Sequence, residues 1–280
     1  MCVFLLGIIF ARYNETFKKY HKLCLAILKE FGFGHNSVSE TRILREVESM
    51  NEELLKLNGS AFDPKPLCVL STFNVTSSIL FGSAFVSSGG SERIAKNMIK
   101  FVKNSDNATN FAPFLRFVPY FYRKTAAMAL CHTDILSAID NGIEFNKSTD
   151  CNESTFVKRF IEMEGRDYDH QDLLFIIRDL CFGSGETVST TLQWAMIELA
   201  NHPAAQNRFQ REIDDVVPKD RLPSLDDKPR LPYTEAVILE VMRRHTAIPF
   251  FVPHQTLKDT EVFGLHIPKG CLVILKYRLH

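Results

Sequence analysis

Ten consecutive residues, Gly183-Ser-Gly-Glu-Thr-Val-Ser-Thr-Thr-Leu192, place an acid, hydroxyls and two glycines between apolar segments. The flanks, Asp179-Leu-Cys181 upstream and Ala195-Met-Ile-Glu-Leu-Ala200 downstream, continue a helical pattern. Each interior glycine weakens such a helix by roughly 1 kcal/mol against alanine. Two readings explain why it would carry them. Small side chains let another helix pack closely. They also leave room for a flat bound molecule, toward which Glu186 and Thr187 would aim a carboxylate and a hydroxyl. A second constellation is Glu240 and Arg243, three residues apart and therefore on one helix face. Exposed, they form an ordinary intrahelical ion pair; buried, each charge demands a partner.

Composition bounds the function. Lys plus Arg and Asp plus Glu both total 33, so the formal net charge is zero and no net basic field gathers nucleic acid. Phenylalanine is abundant at 23, and Trp194 is the only tryptophan. That mixture suggests a large apolar interior. The seven cysteines lack a CxxC pair and sit mostly in apolar surroundings, which predicts reduced, buried thiols and no metal site. Sequons at Asn58, Asn74, Asn107 and Asn152 would matter only in a secreted chain. The apolar run Val3 to Phe10 is far shorter than the roughly 20 residues of a membrane span, and no basic segment precedes it. No membrane anchor or export signal is expected from it.

The elements that must position these groups are mostly helices by periodicity. They are expected over Phe17–Lys29, Ser39–Leu57, Pro64 to Gly82, Glu92–Asn104, Ala126–Phe145 and Phe156–Glu164. A long central helix follows at about 172–201, then one opened by Pro203 and one at about 232–245 opened by Pro232. Residues 105–124 hold two prolines and many aromatics and carry no clear period. Pro253–Leu257, Thr260–Ile267 and Cys271–Leu275 read as strands of a small sheet at about 252–276. The expected class is mainly α with a small β-sheet, in a single domain over 1–280.

Taken in order, the pieces resemble the cytochrome P450 family of haem-thiolate monooxygenases, and most closely its animal microsomal branch. Gly183-Ser-Gly-Glu-Thr187 is similar to the family's oxygen-side helix, with Ser184 in place of the usual glycine. Glu240-Val-Met-Arg243 is similar to its Glu-x-x-Arg. Pro253-His254, Asp259-Thr260 and Ile267-Pro-Lys-Gly270 are similar to its strand region, and His202-Pro203 with Gln210-Arg-Glu-Ile213 to the helix between. The resemblance spans nearly the whole chain. It implies haem as cofactor, an apolar small-molecule substrate, an NADPH-dependent reductase as partner, and the cytosolic face of the endoplasmic reticulum membrane.

It also implies roles. Glu186 and Thr187 would be catalytic, managing protons. Glu240 and Arg243 would form a buried structural pair. Gly183, His254 and His21 would face the haem, His21 standing with Phe17 where the family has Arg and Trp. One neutral imidazole donor there replaces a guanidinium fork. Ile248, Phe250, Phe251 and Val252 would line the substrate cavity. The family's cysteine loop, Phe-x-x-Gly to Arg-x-Cys-x-Gly, has no match here, and neither do its anchor and first helices. Cys271 lies at a strand start and is not assigned as a ligand; no metal ligand is assigned. The expectation is a partial P450 fold, inactive as it stands. The alternatives are a non-enzymatic helical remnant that binds a partner, or an incomplete reading of an active monooxygenase.

Overall fold

A computed structural model describes residues 7–9, 11–33, 37–104, 113–148, 153–165, 168–248 and 252–276. Helix α1 (Glu15–Glu30) opens at Asn14, whose side chain accepts from the Phe17 N–H at 2.8 Å. That satisfies one of the N–H groups a helix start leaves over. Asp63 caps α3 (Pro64–Leu80) in the same way, with a proline in its first turn. Between them runs α2 (Ser37–Lys56), and after α3 come α4 (Ser83–Ser87) and α5 (Gly90–Asn104). Pro113–Phe117 forms a 3₁₀ turn, and α6 (Pro119–Ser148) starts at the next proline. Helix α7 (Phe156–Glu164) is capped by Thr155. Helix α8 (His170–Asn201) is the long central one, about 48 Å at 1.5 Å per residue.

Contacts group the chain, expected as one domain, into two compact units, Met1–Glu186 and Thr187–His280. The first holds most of the core. On α6, Ile135, Ala138, Ile139, Gly142 and Ile143 recur at three and four residues and are all buried. They meet the Ile94, Ala95 and Met98 stripe of α5. Phe73 and Val69 of α3, Phe156 and Phe160 of α7, and Leu173 and Ile177 of α8 complete that core.

A polar lock joins three elements of the first unit. The Asn146 amide donates to the Phe81 carbonyl at 2.7 Å, and its oxygen accepts from Thr155 Oγ1 at 2.6 Å. Asn146 is buried, so these bonds replace water that cannot enter. Glu153 adds a second lock, accepting from the Ser83 N–H and hydroxyl at 2.8 Å each.

In the second unit, α9 (Pro203–Val216) packs on α10 (Pro232–Arg244). Glu212 caps α10 by accepting from the Tyr233 and Thr234 N–H groups at 2.8 and 2.7 Å. Asp227 sits in a 3₁₀ turn, Leu225–Arg230, and takes a two-pronged bond from Arg221 at 2.7 and 2.8 Å. Arg221 first, then the Ser224 N–H, hold its carboxyl well below the usual range.

The expected single sheet is two separate antiparallel ribbons. β1 (His254–Gln255) pairs with β4 (Leu272–Val273), and β2 (Thr260–Val262) with β3 (Leu265–Ile267). The strand expected over Thr260–Ile267 is folded back on itself because Phe263 and Gly264 both take positive φ, 51° and 78°. Two successive positive φ values make the tight hairpin turn that matches strand twist. The mainly helical class with a small amount of antiparallel β is as expected. No helix among the described residues is long and apolar enough to cross a membrane.

Replacing Asn146 by Ala leaves the Phe81 carbonyl and the Thr155 hydroxyl without their buried partner. A loss of about 2–3 kcal/mol is expected, read as a lower denaturant midpoint at unchanged slope. A loss under about 0.5 kcal/mol would mean that water replaces the amide there.

Candidate functional site

Residues four apart on a helix share a face. In α8, Cys181, Gly185 and Ser189 lie on one stripe and all are buried. A Cβ built on Gly185 would stand 2.3 Å from the Phe73 ring of α3, itself fully buried. The adjacent Ser184 hydroxyl donates to the Leu180 carbonyl at 2.8 Å and accepts from Thr76 Oγ1 at 2.9 Å. Gly185 and Ser184 are therefore where α3 closes on α8.

Gly183 does something else. It is exposed, and a Cβ built there meets no atom within 4 Å. By the helical angle, Glu186, Thr187 and Thr190 fall on that same side, and all three are half-buried. The run thus has two faces, one packed and one with clearance. The side with clearance carries a carboxylate and two hydroxyls. Within the run a hydroxyl bonds back to the preceding turn, Thr191 Oγ1 donating to the Thr187 carbonyl at 3.0 Å.

One turn upstream, Arg178 and Asp179 are both buried within an apolar run. The Arg178 Nε and Nη2 donate to Asp179 Oδ1 at 2.9 and 2.6 Å. Asp179 Oδ2 accepts from the Ile8 and Ile9 N–H groups at 2.7 and 2.8 Å. Gly7 has φ of +100°, and a Cβ there would lie 2.3 Å from the same oxygen, so only glycine lets the backbone close on it. The Gly7–Ile9 segment is thereby fixed to α8 just before the glycine run. Sequence reasoning missed this clamp. The signal was present: adjacent opposite charges inside LLFIIRDLCF must find partners if buried. His132 of α6 lies near this pair. Burial, then the positive Arg178, pushes its imidazole below the ordinary range.

The other expected positions are more dispersed. Glu240 and Arg243 do bond each other, through Nε to Oε2 and Nη2 to Oε1 at 2.7 Å each. Their side chains are 53% and 49% exposed, so the buried pair implied by the resemblance is here a surface pair. Their neighbours Ile238, Leu239 and Met242 are also exposed, so no described element covers this face of α10. His21 is exposed on α1 and stacks on Phe17 at 5.4 Å. His254 is exposed in β1, opposite Val273. Ile248 is 41% exposed and Val252 half-buried. Phe250 and Phe251 lie outside the described residues.

The fit to haem divides in the same way as α8. The clearance at Gly183 suits a flat group. Cys24, Cys68 and Cys181 do not suit an iron ligand, because the thiolate is the ligating form. Cys24, Cys68, Cys131 and Cys181 are buried. Burial pushes the Cys24 and Cys181 thiols up to about 12 and also raises Cys68. Cys271 is half-buried in the turn before β4, with its N–H bonded to Thr256 Oγ1 at 2.9 Å. Asp140, Glu144 and His170 bring three possible metal donors together among the described residues. They are already engaged: His170 Nε2 with Asp140 at 2.7 Å, and Glu144 with Lys147 at 2.7 Å. The positive N-terminal end of α8 at His170 also opposes a cation.

The two glycines are expected to respond with opposite signs. Gly183→Ala adds a methyl to open space and gains helix propensity, up to about 1 kcal/mol. Gly185→Ala drives a methyl into Phe73 and costs about 1–3 kcal/mol. Urea unfolding of both variants checks this, and equal effects would contradict the two-faced reading. His132 gives a pH test. Its contribution is fully present above the unfolded value of about 6.5 and is lost as pH falls toward its depressed folded value. In His132→Phe that part of the pH dependence should vanish from the unfolding free energy between pH 5 and 7.5. An unchanged slope would contradict it.

Comparison with known proteins gives a consistent result. The cytochrome P450 family model matches residues 5–279. Cytochrome P450 2B9 of Mus musculus is 32% identical over 98% of this chain and 58% of its own length. Cytochrome P450 2F5 of Gorilla gorilla gorilla is 34% identical over 96% of this chain and 57% of its own. The chain thus spans little more than half the length of these relatives. A zebra fish cytochrome P450, solved with progesterone, superposes with a TM-score of 0.81 at 25% identity, covering 96% of this chain and 64% of that one. With the fold and the family match in agreement, the chain belongs to the cytochrome P450 family.

Proposed function

We propose that this chain serves a haem-dependent monooxygenase that adds one oxygen atom to an apolar organic substrate. The observation that carries the reading is the clearance on α8 at Gly183, one turn from Glu186 and Thr187. Haem bound through a thiolate supplies oxygen activation, with the thiolate favouring O–O cleavage. On this reading the chain's own groups have limited tasks. Gly183 leaves room for the flat group. The Glu186 carboxylate takes protons from solvent, and the Thr187 hydroxyl passes them on. His254 and His21 would each be able to offer an imidazole N–H to an anionic group of the cofactor. Ile248 and Val252 would contribute apolar side chains to a substrate cavity. Glu240 and Arg243 act as a structural pair.

Electrons would come from an NADPH-dependent reductase, and the place of work would be the cytosolic face of the endoplasmic reticulum membrane. Burial holds the Cys24, Cys68 and Cys181 thiols in the neutral form, and the 280-residue chain by itself is expected to be inactive. A second reading is non-enzymatic association with a partner. It is favoured by the exposed apolar side chains of the second unit, among them Leu239, Met242, Phe263 and Leu265.

Purified chain mixed with haem should give no thiolate-type Soret band in a carbon monoxide difference spectrum. A normal thiolate band would overturn the expected inactivity. If the transcript past the His280 codon reads in frame into Arg-x-Cys-x-Gly, the extended chain should show that band and turn over. Thr187→Ala should then lower turnover about 10²-fold or more, the usual weight of a positioned proton-transfer group. Turnover unchanged by Thr187→Ala would contradict the assigned role. Light scattering separates the second reading, since a monodisperse monomer argues against association.

A further inference from the structure

We propose that Asn58 is a self-modifying site, where the Gly59 nitrogen converts the asparagine into aspartate and isoaspartate while the second such pair, at Asn141, stays intact. Asn-Gly occurs twice in the chain, at Asn58-Gly59 and at Asn141-Gly142. Both asparagines are exposed. The reaction requires the next residue's backbone nitrogen to reach the asparagine Cγ. Glycine favours this in both pairs, because no Cβ obstructs the approach and the backbone turns freely. What separates the two pairs is the fold around them.

Asn58 and Gly59 make the turn after α2, with φ of 44° and 79°. Asn58 thus takes the left-handed position that commonly ends a helix. Its N–H donates to the Leu55 carbonyl at 3.1 Å, and the Ser60 N–H donates to the Leu57 carbonyl at 2.8 Å. Neither the Asn58 side chain nor the Gly59 N–H bonds to a described residue. Asn58, Gly59 and Ser60 are all exposed, and a Cβ built on Gly59 meets no atom within 4 Å. Ring closure has to rotate the Asn58–Gly59 peptide. The bond from Ser60 to Leu57 opposes that rotation, and water can replace it. Gly142 is the contrast. It is buried inside α6, where a helical N–H is committed to the carbonyl four residues back. Its carbonyl accepts from the Asn146 amide at 3.3 Å, and a Cβ built on it would stand 2.8 Å from the Phe81 ring. Rotating that peptide toward Asn141 would break the helix against its core, so reaction there waits for α6 to open.

The chemistry needs only water. The Gly59 nitrogen bonds to the Asn58 Cγ, the Cγ–Nδ2 bond breaks, and ammonia leaves with the former Gly59 proton. Water then opens the resulting succinimide at either carbonyl, breaking a ring C–N bond to give aspartate or isoaspartate. Nothing is oxidised or reduced. Either product sets a new negative charge at the C-terminal end of α2, where the helix carbonyls disfavour it. The formal net charge of the chain, zero as synthesised, becomes negative.

Purified full-length chain, kept for days in neutral buffer at body temperature and then mapped by peptide mass spectrometry, gives both rates. The Asn58 peptide should gain the mass of an amide turned into an acid, as two isomers, at least about tenfold faster than the Asn141 peptide, which depends on local opening. Isoelectric focusing of the intact chain should show an acidic band growing at the Asn58 rate. That band should be missing from Asn58→Gln, whose longer side chain closes a less favourable ring. In concentrated urea the two peptides should react at similar rates, because the fold no longer distinguishes them. An Asn58 peptide that stays unmodified in the folded chain, equal rates at the two sites there, or a rate gap that persists in urea would overturn the proposal.

Discussion

The approach of Phe73 to Gly185 fixes the rotation of α8, and the site depends on that rotation. Phe73 is fully buried and cannot retreat into solvent, so the α8 position beneath it must lack a side chain. Once Gly185 faces α3, the 100° step of a helix sends Gly183, Glu186 and Thr187 to the far side. Thr76 and Ser184 add a directional bond to the same contact, which resists a slip of one residue. A packing requirement on one face thereby selects which groups a ligand could meet on the other.

Upstream polar contacts hold the helix in place along its length. Removing Arg178 and Asp179 from water is costly, and their attraction offsets it only because every oxygen of Asp179 is used. The carboxylate pins the Gly7–Ile9 backbone to α8 about a turn before the glycine run. Asn146 and Glu153 act likewise for α6 and α4. The second unit has little core of its own, with Val217, Leu231 and Val241 its buried apolar residues among those described. Carboxylates such as Asp227, Glu212 and Glu198, each collecting several donors, carry much of its local order.

Helix ends were legible because they rest on local chemistry. Prolines at 64, 203 and 232 open helices, and Asn58-Gly59 follows α2, as their residue types dictate. The α6 start at Pro119 was not legible, since aromatics crowd residues 105–124 and blur the period. The split of Thr260–Ile267 hides in Phe263, a residue type that rarely takes positive φ. Tertiary partners were beyond reach. Periodicity cannot say that Gly185 meets Phe73, and Glu240–Arg243 three residues apart reads the same whether buried or exposed. The family resemblance supplied the order of the motifs. It did not reveal that the two glycines have separate duties.

That separation is the central structural claim, and cysteine accessibility tests it most directly. Gly183→Cys and Ser189→Cys place a thiol on the free and packed faces of α8, the second as a near-isosteric change at a fully buried position. Maleimide labelling of each folded variant, mapped by mass spectrometry, gives the two rates. The account predicts fast modification at 183 and strong protection at 189. Protection at 183, or equal rates at both positions, would contradict it.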